Sequence, residues 1–225
     1  MIDHTRHSGI FNVHDTRVCL VGAGGIGAIT AITLGKMGVE DLWVFDSDKV
    51  EDINIATQFH RVSDIGLDKV RAVRNNAFAF AGVYPKAFCE RIQPGACMLP
   101  VAGIYVSAVD SIVARQSIWQ VVKQTHNHRP VSPRWYIDAR MGAEVYEHFV
   151  VDMSNFDWYD SSITNASDED MPDLPCTSKA TIYTANIAAG HIGAAVRRIL
   201  TWDQKPGFLH HDIIQNELYF QEISQ

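Results

Sequence analysis

The sequence predicts an α/β fold in which a mainly parallel sheet carries helices on both faces. Three observations lead to this fold class. Short apolar segments alternate with helix-like segments, a glycine-rich turn joins the first such pair, and aspartates follow two of the apolar segments. Strands that alternate with helices imply right-handed crossovers and therefore parallel pairing.

The predicted elements follow one another in a regular order. Residues 1–16 are polar and rich in histidine, which predicts an arm or a short helix. Strands are then predicted over residues 17–21, 41–46, 83–92, 103–109, 135–139 and 142–152, with one or two more over 207–220. Helices are predicted over residues 24–38, 64–81, 111–124 and 181–200. Gly38 suits the end of the first of these helices, because glycine adopts the left-handed cap conformation without strain.

Residues 152–175 differ from the rest of the chain in composition. Between Asp152 and Asp173 there are seven acids and neither lysine nor arginine. A long acidic segment of this kind predicts a mobile crossover loop on the surface, and long loops are often functional. At 225 residues we expect a single domain, 1–225, that contains this loop.

Bulk composition excludes several classes of protein. A net charge of −7 argues against a nucleic-acid-binding protein, whose surface would carry a basic patch. No segment reaches the roughly 18 uninterrupted apolar residues of a membrane span, so we expect no membrane span. The first residues do not combine a positive start with an apolar stretch, so we expect no secretory signal. The four cysteines form no C-x-x-C pair, so we expect no structural zinc. Scattered, unpaired cysteines fit a reducing cytoplasm.

A glycine-rich turn follows the first predicted strand. Gly22, Gly24 and Gly27 form the pattern G-x-G-x-x-G, with Gly25 inside it, and a helix begins there. Such a turn lets phosphates approach the backbone, and the helix N-terminus favours their negative charge. Asp46 ends the second strand, close to the spacing at which an acid binds ribose in dinucleotide sites. Up to this residue, the obvious ligand is NAD.

The residues that follow the turn point to a different nucleotide. Residues 46–51 read Asp-Ser-Asp-Lys-Val-Glu, and Asn54 and Gln58 come next. Together they closely resemble the D-x-D-x-V-E-x-x-N-x-x-R-Q motif of the superfamily of ThiF, MoeB and the ubiquitin-activating enzymes. In that superfamily the motif also follows a G-x-G-G-[IL]-G turn.

Two later segments extend the resemblance. Residues 65–69, Ile-Gly-Leu-Asp-Lys, resemble the next family motif, an Ile-Gly followed shortly by a lysine. Residues 106–110, Val-Ser-Ala-Val-Asp, with Arg115 after them, resemble a strand that ends in the family's aspartate. Four motifs in the right order are far more specific than one glycine turn.

The resemblance implies a ThiF-type adenylation domain that uses ATP and Mg²⁺ rather than NAD. Enzymes of this superfamily adenylate the C-terminal glycine of a ubiquitin-like or sulfur-carrier protein. The carboxylate of the carrier attacks the α-phosphate and pyrophosphate leaves, so like charges must be brought together and neutralised. Relatives are usually dimers, which implies a homodimer.

Roles for individual residues follow from the resemblance. Lys69 would place a cation on the phosphates, Asp110 would hold Mg²⁺, and Asp46 would bind the ribose. The same three residues also fit structural roles, as a surface lysine, a helix N-cap and a turn residue at a strand end. Polar contacts near the nucleotide are implied for Asp48, Asn54 and Gln58.

Two more candidates lie outside these motifs. Cys176 would accept the activated carrier as a thioester or persulfide, and its place between the acidic loop and a helix would lower the pKa of its thiol. Lys179 would assist it, although Cys176 also fits an incidental loop cysteine. Arg6 resembles an arginine that homodimeric relatives lend across the subunit interface; the alternative is a solvated charge on the arm.

The chain departs from the family motif at one position. Thr57 stands where the family has an arginine that contacts the triphosphate. A charge-assisted phosphate contact contributes on the order of 2–3 kcal/mol, so its loss would slow catalysis roughly 10–100-fold. Arg61 is the first candidate to replace it, and Arg74 is a weaker one.

This departure leaves three functions open. The first is an ATP-dependent adenylyltransferase, and the second is a catalytically weakened nucleotide-binding partner subunit of the same fold. The third is an NAD-dependent oxidoreductase, which explains the glycine turn but not the motifs after Asp46.

Overall fold

The computed structural model describes residues 3, 5–13, 16–96, 98–128, 134–167 and 180–223. Their strands are β1 (Val18–Val21), β2 (Leu42–Phe45), β3 (Lys86–Phe88), β4 (Ile104–Ser107), β5 (Trp135–Gly142), β6 (Val145–Asp152), β7 (Gly207–Asp212) and β8 (Glu217–Glu222). Their helices are α1 (Thr5–Ser8), α2 (Gly25–Met37), α3 (Lys69–Ala81), α4 (Ile112–His128), α5 (Asp157–Asn165) and α6 (Ile182–Leu200).

All these strands join one sheet, in the order β3-β2-β1-β4-β5-β6-β7-β8. The first five in that order pair in parallel, and β5 to β8 pair antiparallel. The predicted α/β class with a mainly parallel sheet is therefore confirmed. The antiparallel pairs β5–β6 and β7–β8 follow from their short connections, because a parallel crossover needs about a dozen residues or more.

Two apolar cores cover the two faces of the sheet. Along β1, Val18 and Leu20 belong to the core that includes residues of α2 and α6. Cys19 and Val21 alternate with them and belong to the core of α4 and α5. Every residue of β1 is buried, as expected for a central strand covered on both sides.

The predicted loop over residues 152–175 is wrong in its first half. Within it, α5 forms and packs the fully buried side chains of Tyr159 and Ile163 into the second core. Acidic residues in the first turn of α5 are compatible with a helix because they lie near its positive N-terminal end. The composition of the segment concealed these two apolar anchors. Residues 168–175 lie outside the described residues.

Two further boundaries differ from the prediction. The helix predicted over 64–81 begins only at Lys69, because Gly66 has a φ of +88° and interrupts the chain before it. The strand predicted over 83–92 is confined to β3. Gly38 ends α2 in the left-handed conformation, as predicted, and its N–H bonds back to carbonyls of the last turn.

None of the helices in the described ranges is long and apolar enough to cross a membrane.

Candidate nucleotide-binding site

The sequence motifs converge at the carboxyl edge of the parallel strands. β1 pairs with β2 on one side and with β4 on the other, so the strand order reverses at β1. Open α/β sheets bind ligands in the crevice at such a switch point. The glycine turn follows β1 and Asp110 follows β4, so both lie at this edge.

The glycine turn packs too tightly for a side chain at two of its glycines, Gly22 and Gly27. Gly22 has a φ of +104°, and a Cβ there would lie 2.4 Å from the carbonyl oxygen of Ala108. A Cβ on Gly27 would lie 1.9 Å from the carbonyl oxygen of Gly22. The absence of side chains therefore brings the start of α2 against the turn, with its backbone N–H groups at the crevice.

Side chains on two sides hold the peptide groups of the turn at Ala23. The Ala23 N–H donates to Oδ2 of Asp46 over 2.7 Å. The Ala23 carbonyl oxygen lies 3.1 Å from Nε2 of His60, which must carry the proton because a carbonyl only accepts. The motifs did not identify His60, and its only signal was a histidine two residues after the Gln of the motif. Burial lowers the pKa of His60, so the ring is neutral at pH 7.

Asp46 combines a structural task with spare acceptor capacity. Its Oδ1 accepts the backbone N–H of Asp48 over 2.8 Å, and its Oδ2 accepts that of Ala23. Burial raises the pKa of Asp46 above its ordinary value, and these hydrogen bonds oppose the shift. Each carboxylate oxygen can accept more than one hydrogen bond, so ribose hydroxyls fit its remaining lone pairs.

Lys69 lies beside Asp46 and Asp48 rather than on the surface. Its Nζ is 3.1 Å from Oδ2 of Asp48, and its side chain is 11% exposed. The backbone N–H of Lys69 also donates to the Asp48 carbonyl over 2.8 Å, which fixes the start of α3. The structure therefore brings together three predicted residues, Asp46, Asp48 and Lys69.

Asn54 and Gln58 differ in how their amides are used. Oδ1 of Asn54 accepts the backbone N–H of Glu51 over 2.9 Å and closes a short 3-10 turn. The Gln58 amide faces the glycine turn, since its Nε2 would be 3.8 Å from a Cβ on Gly24. Oε1 of Gln58 is buried and has no hydrogen-bond partner within the described ranges. Gln58 is thus the better placed of the two for a ligand.

Thr57, which stands where the family has an arginine, borders the same turn. The Thr57 carbonyl oxygen would lie 3.5 Å from a Cβ on Gly25. The guanidinium of Arg61 instead pairs with the buried carboxylate of Asp64 at 2.9 Å. Arg74 stacks over the ring of Tyr84 at 4.8 Å. A role of Arg61 on the phosphates stays a prediction, and it requires the ion pair with Asp64 to open.

Asp110 follows β4 as an exposed residue in a bend before α4. The hydroxyl of Ser111, rather than Asp110, accepts the N–H of Ala114 at the start of this helix, over 3.2 Å. Asp110 therefore does not serve as the N-cap of α4. An exposed carboxylate at the crevice fits Mg²⁺, which typically takes one or two carboxylates together with water and substrate phosphates.

A buried network anchors the segment that precedes Asp110. The guanidinium of Arg115 donates to the Val109 carbonyl, to the Ala139 carbonyl and to the carboxylate of Asp138. Oδ2 of Asp138 also accepts hydrogen bonds from Nε and Nη2 of Arg140, at 2.9 and 2.7 Å.

Tyr159 completes this network from α5. Its hydroxyl donates to Oδ2 of Asp138 over 2.9 Å. Burial opposes ionisation of Asp138, but the charges of Arg115 and Arg140 prevail and hold its pKa below the ordinary value. The sequence motifs missed Asp138 and Arg140, although two charges in an apolar strand were a usable signal.

The other predicted candidates are less defined. Arg6 is exposed on α1, and its role at a subunit interface stays a prediction. Cys176 and Lys179 lie outside the described residues. Across the described part of the chain, no group of three or more His, Cys, Asp or Glu could hold a metal by itself. The glycine cradle and the unpartnered Gln58 amide nevertheless fit a nucleotide that brings Mg²⁺ with its phosphates.

Comparison with known proteins decides the family. The sequence profile of the ThiF family matches residues 1–223. The chain belongs to the ThiF family.

Relatives of this ThiF-family chain include ubiquitin-like modifier-activating enzyme 5 from two animals. The Bombyx mori protein is 29% identical in an alignment 134 residues long, which covers 50% of this chain and 33% of the relative. The Caenorhabditis elegans protein is 38% identical in an alignment 123 residues long, which covers 47% of this chain and 29% of the relative. The matched region thus spans about a third of these relatives.

Solved structures share the ThiF-type fold. The crystal structure of E. coli MccB with ATP superposes with a TM-score of 0.71 at 17% identity, over 95% of this chain and 65% of MccB. The crystal structure of PaaA gives a TM-score of 0.68 at 19% identity, over 94% of this chain and 74% of PaaA. At these identities the likeness establishes the fold.

Proposed function

We propose that the protein is an ATP- and Mg²⁺-dependent adenylyltransferase that activates the C-terminal glycine carboxylate of a ubiquitin-like or sulfur-carrier protein. The observation that carries this proposal is the cluster of Asp46, Asp48 and Lys69 beside the glycine turn. The relatives named ubiquitin-like modifier-activating enzyme support it, as does the structure of MccB with ATP.

Each site residue contacts a different part of the nucleotide. The backbone N–H groups at the start of α2 donate hydrogen bonds to phosphate oxygens, and Asp46 accepts hydrogen bonds from the ribose hydroxyls. Gln58 contributes its amide beside the turn. Lys69 exchanges its contact with Asp48 for a phosphate oxygen, which costs little because Asp48 is 64% exposed and solvated.

The reaction joins two anions, and the site must offset their repulsion. The carrier carboxylate attacks the α-phosphorus, the bond to the bridging oxygen breaks, and pyrophosphate leaves with the negative charge. Lys69 stabilises that developing charge by placing its ammonium group next to the phosphates. Asp110 would hold Mg²⁺, whose charge would offset that of the departing phosphates.

The same proposal includes three further parts: transfer of the activated carrier to Cys176, a homodimer in which Arg6 reaches across the interface, and a cytoplasmic location. In the transfer, the Cys176 thiolate attacks the carrier carbonyl, forms a thioester and releases AMP. A carrier adduct that thiols cleave in the parent, and that is absent from Cys176→Ala, is the expected result. An adduct unchanged in Cys176→Ala would contradict this step.

A second candidate function is a weakened, nucleotide-binding partner subunit of the same fold. Thr57 favours it, because the guanidinium that the family places there is missing and that of Arg61 is paired with Asp64. Such a subunit binds ATP but does not turn it over by itself.

ATP–pyrophosphate exchange separates the two candidates. The protein is incubated with ATP, Mg²⁺, labelled pyrophosphate and a panel of ubiquitin-like and sulfur-carrier proteins that end in glycine. We expect carrier-dependent exchange that falls by roughly 100-fold in Asp110→Ala and in Lys69→Ala, since each removes a charge that stabilises the transition state. The matched controls are Asp203→Ala and Lys36→Ala, which remove exposed charges away from the crevice.

The outcomes differ for each function. ATP binding without exchange for any carrier favours the partner subunit. Exchange that is unaffected by Asp110→Ala and Lys69→Ala contradicts the roles of these residues.

A further inference from the structure

We propose that Met141 is a specificity-determining residue of the site, whose apolar side chain lies against the terminal residue of the carrier and leaves room there only for glycine. This inference deepens the proposed function and rests on it for the reaction. It follows from the face of the sheet on which Met141 lies, from its contact with the start of α2, and from the direction in which the carboxylate must arrive.

Met141 lies on the same face of the sheet as the residues of the nucleotide site. Side chains alternate along a strand, and Ile137 and Ala139 of β5 belong to the core that includes residues of α2. Met141 is next in this alternation and packs against the same core. The helix that Lys69 begins also places Val70 in this core. The end of β5 and the cation of the site therefore share one face.

The thioether end of Met141 reaches the start of α2. Its Cε would lie 3.1 Å from a Cβ on Gly25, the first residue of that helix. The parallel pairing of β4 with β5 ends at Ser107 and Asp138, so Met141 extends beyond β4. Met141 is partly exposed there, whereas its cross-strand neighbour Tyr146 is fully buried. An unbranched apolar side chain thus borders the helix N-terminus that receives the phosphates in the proposed function.

The in-line geometry of the reaction decides which group meets Met141. In a displacement at phosphorus, the attacking and leaving oxygens lie roughly opposite each other. Lys69, which stabilises the leaving pyrophosphate in the proposed mechanism, contacts Asp48, just after β2. The sheet order β2-β1-β4-β5 places the end of β5 on the other side of the glycine turn. The carrier carboxylate therefore arrives from the side of β5, and its terminal residue passes Met141.

The bulk of Met141 selects the terminal residue by size. Glycine brings no side chain next to the reacting carboxylate, whereas any other residue brings a Cβ towards the space that Met141 fills. Forcing additional carbon atoms into a packed contact is unfavourable. Methionine suits this task because its unbranched, flexible side chain can settle closely against a bound glycine.

The competing explanation is that Met141 only covers the rim of the apolar core. A covering role affects stability, but it does not distinguish one carrier terminus from another. The experiment measures ATP–pyrophosphate exchange with the carrier that supports the most exchange in the panel above. This carrier is used in its own form, ending in glycine, and in a form in which alanine replaces that glycine.

The proteins compared are the parent, Met141→Ala, Met141→Val and the control Met98→Ala. Met98 is 71% exposed and lies beside the last turns of α4, away from the crevice. Met98→Ala therefore removes a methionine side chain without changing the site. Thermal unfolding monitors the fold of each variant, and Met141→Val decides the matter if Met141→Ala does not fold.

In the parent, we expect kcat/KM for the glycine form to exceed that for the alanine form by roughly 10–200-fold, as is typical for a difference of one carbon atom. Met141→Ala should reduce this ratio by roughly tenfold or more, mainly by raising exchange with the alanine form. Met141→Val should lie between the parent and Met141→Ala. Met98→Ala should keep the ratio of the parent.

Each other result counts against a specific claim. A parent that accepts both forms equally, or a folded Met141 variant that keeps the ratio of the parent, overturns this inference and leaves the proposed function intact. An equal loss of exchange with both forms also overturns it, because Met141 would then act on the turn and not on the terminal residue. A parent that supports no exchange with any carrier overturns the proposed adenylyltransferase and this inference with it.

Discussion

The two halves of the sheet hold their polar residues in different ways. In the parallel half, contacts close within one compact stretch of sequence, where Asp46 accepts the N–H of Asp48 and Asp48 contacts Lys69. In the antiparallel half, contacts join distant segments. Nε2 of His191 on α6 lies 3.0 Å from Nδ1 of His211 on β7, and Arg115 on α4 pairs with Asp138 on β5.

The polar contacts of the parallel half can therefore be recognised as a sequence motif, whereas those of the antiparallel half form only when distant segments fold together. In the parallel half, Oε1 of Gln58 lies beside the glycine turn without a hydrogen-bond partner among the described residues, which suits the ligand proposed above. The polar groups of the antiparallel half are mostly buried against each other. Substitutions in the parallel half should therefore reduce nucleotide binding, whereas those in the antiparallel half should first reduce stability.

The largest expected effect is on stability in the antiparallel half. Asp138→Ala leaves the guanidinium groups of Arg115 and Arg140 without their buried carboxylate. We expect a loss of about 3–5 kcal/mol in the free energy of unfolding, measured by urea denaturation. Asp203→Ala, which removes an exposed carboxylate, is the matched control. A loss below about 1 kcal/mol in Asp138→Ala would show that the network does not stabilise this half.

A smaller effect in the same half depends on pH. Burial lowers the pKa of His148 to about 3, with the charges of His191 and Arg198 acting in the same direction. The unfolded chain, in which a histidine has a pKa of about 6.5, binds this proton first, so stability falls as the pH drops from 6.5 towards 3. At pH 4 the loss due to His148 should be about 3 kcal/mol.

Urea unfolding at pH 7 and at pH 4 measures this loss. His148→Gln cannot ionise, so its stability should fall less between the two pH values than that of the parent. An equal fall in both proteins would mean that His148 does not contribute to acid sensitivity. His128→Gln, an exposed histidine at the end of α4, provides the control.

A third prediction returns to the parallel half. His60→Phe removes the donor to the Ala23 carbonyl and leaves one side of the glycine turn unsupported. We expect the Kd for ATP to rise by roughly fivefold, which corresponds to about 1 kcal/mol. An unchanged Kd in a variant of parental stability would mean that Asp46 alone positions the turn.

The smallest expected effect concerns Asp41, at the opposite end of β2 from the crevice. Burial opposes the shift, but hydrogen bonds from Lys86, Trp43 and Arg17 lower the pKa of Asp41 to about 2. Its contribution is present above the unfolded pKa of about 3.9 and is lost as the pH falls through about 2.

Because this carboxylate is about one third exposed, screening limits the contribution to roughly 1 kcal/mol or less at pH 7. Asp41→Asn should lower the free energy of unfolding by that amount at pH 7 and leave it unchanged near pH 2. ATP binding should not change at either pH. A change in ATP binding would contradict the separation between the two ends of the strand.

The sequence predicted the parallel half well for a physical reason. The turn, the acids and Lys69 work through backbone spacing, so their pattern is visible along the chain and leads to the right edge of the sheet. The antiparallel half could not be predicted in this way. Asp138 and Arg140 gain their meaning from Arg115 and Tyr159, which only folding brings to them.

Two local errors have the same origin. α5 was concealed because its acids suggested a loop, while the burial of Tyr159 and Ile163 depends on α4 and the sheet. His60 was missed because its partner is a backbone carbonyl, which leaves no trace in a side-chain motif. The ion pair of Arg61 with Asp64 is likewise visible only in three dimensions, and the role of Arg61 on the phosphates stays a prediction.

The most direct test of the central claim compares two nucleotides on one protein. Calorimetric titration of the parent and of Lys69→Ala is carried out with ATP and Mg²⁺, and separately with NADH. We predict that ATP binds the parent, that Lys69→Ala weakens it by roughly 10–100-fold, and that NADH gives no binding heat. Binding of NADH without binding of ATP would contradict the account, because the glycine turn would then serve a dinucleotide.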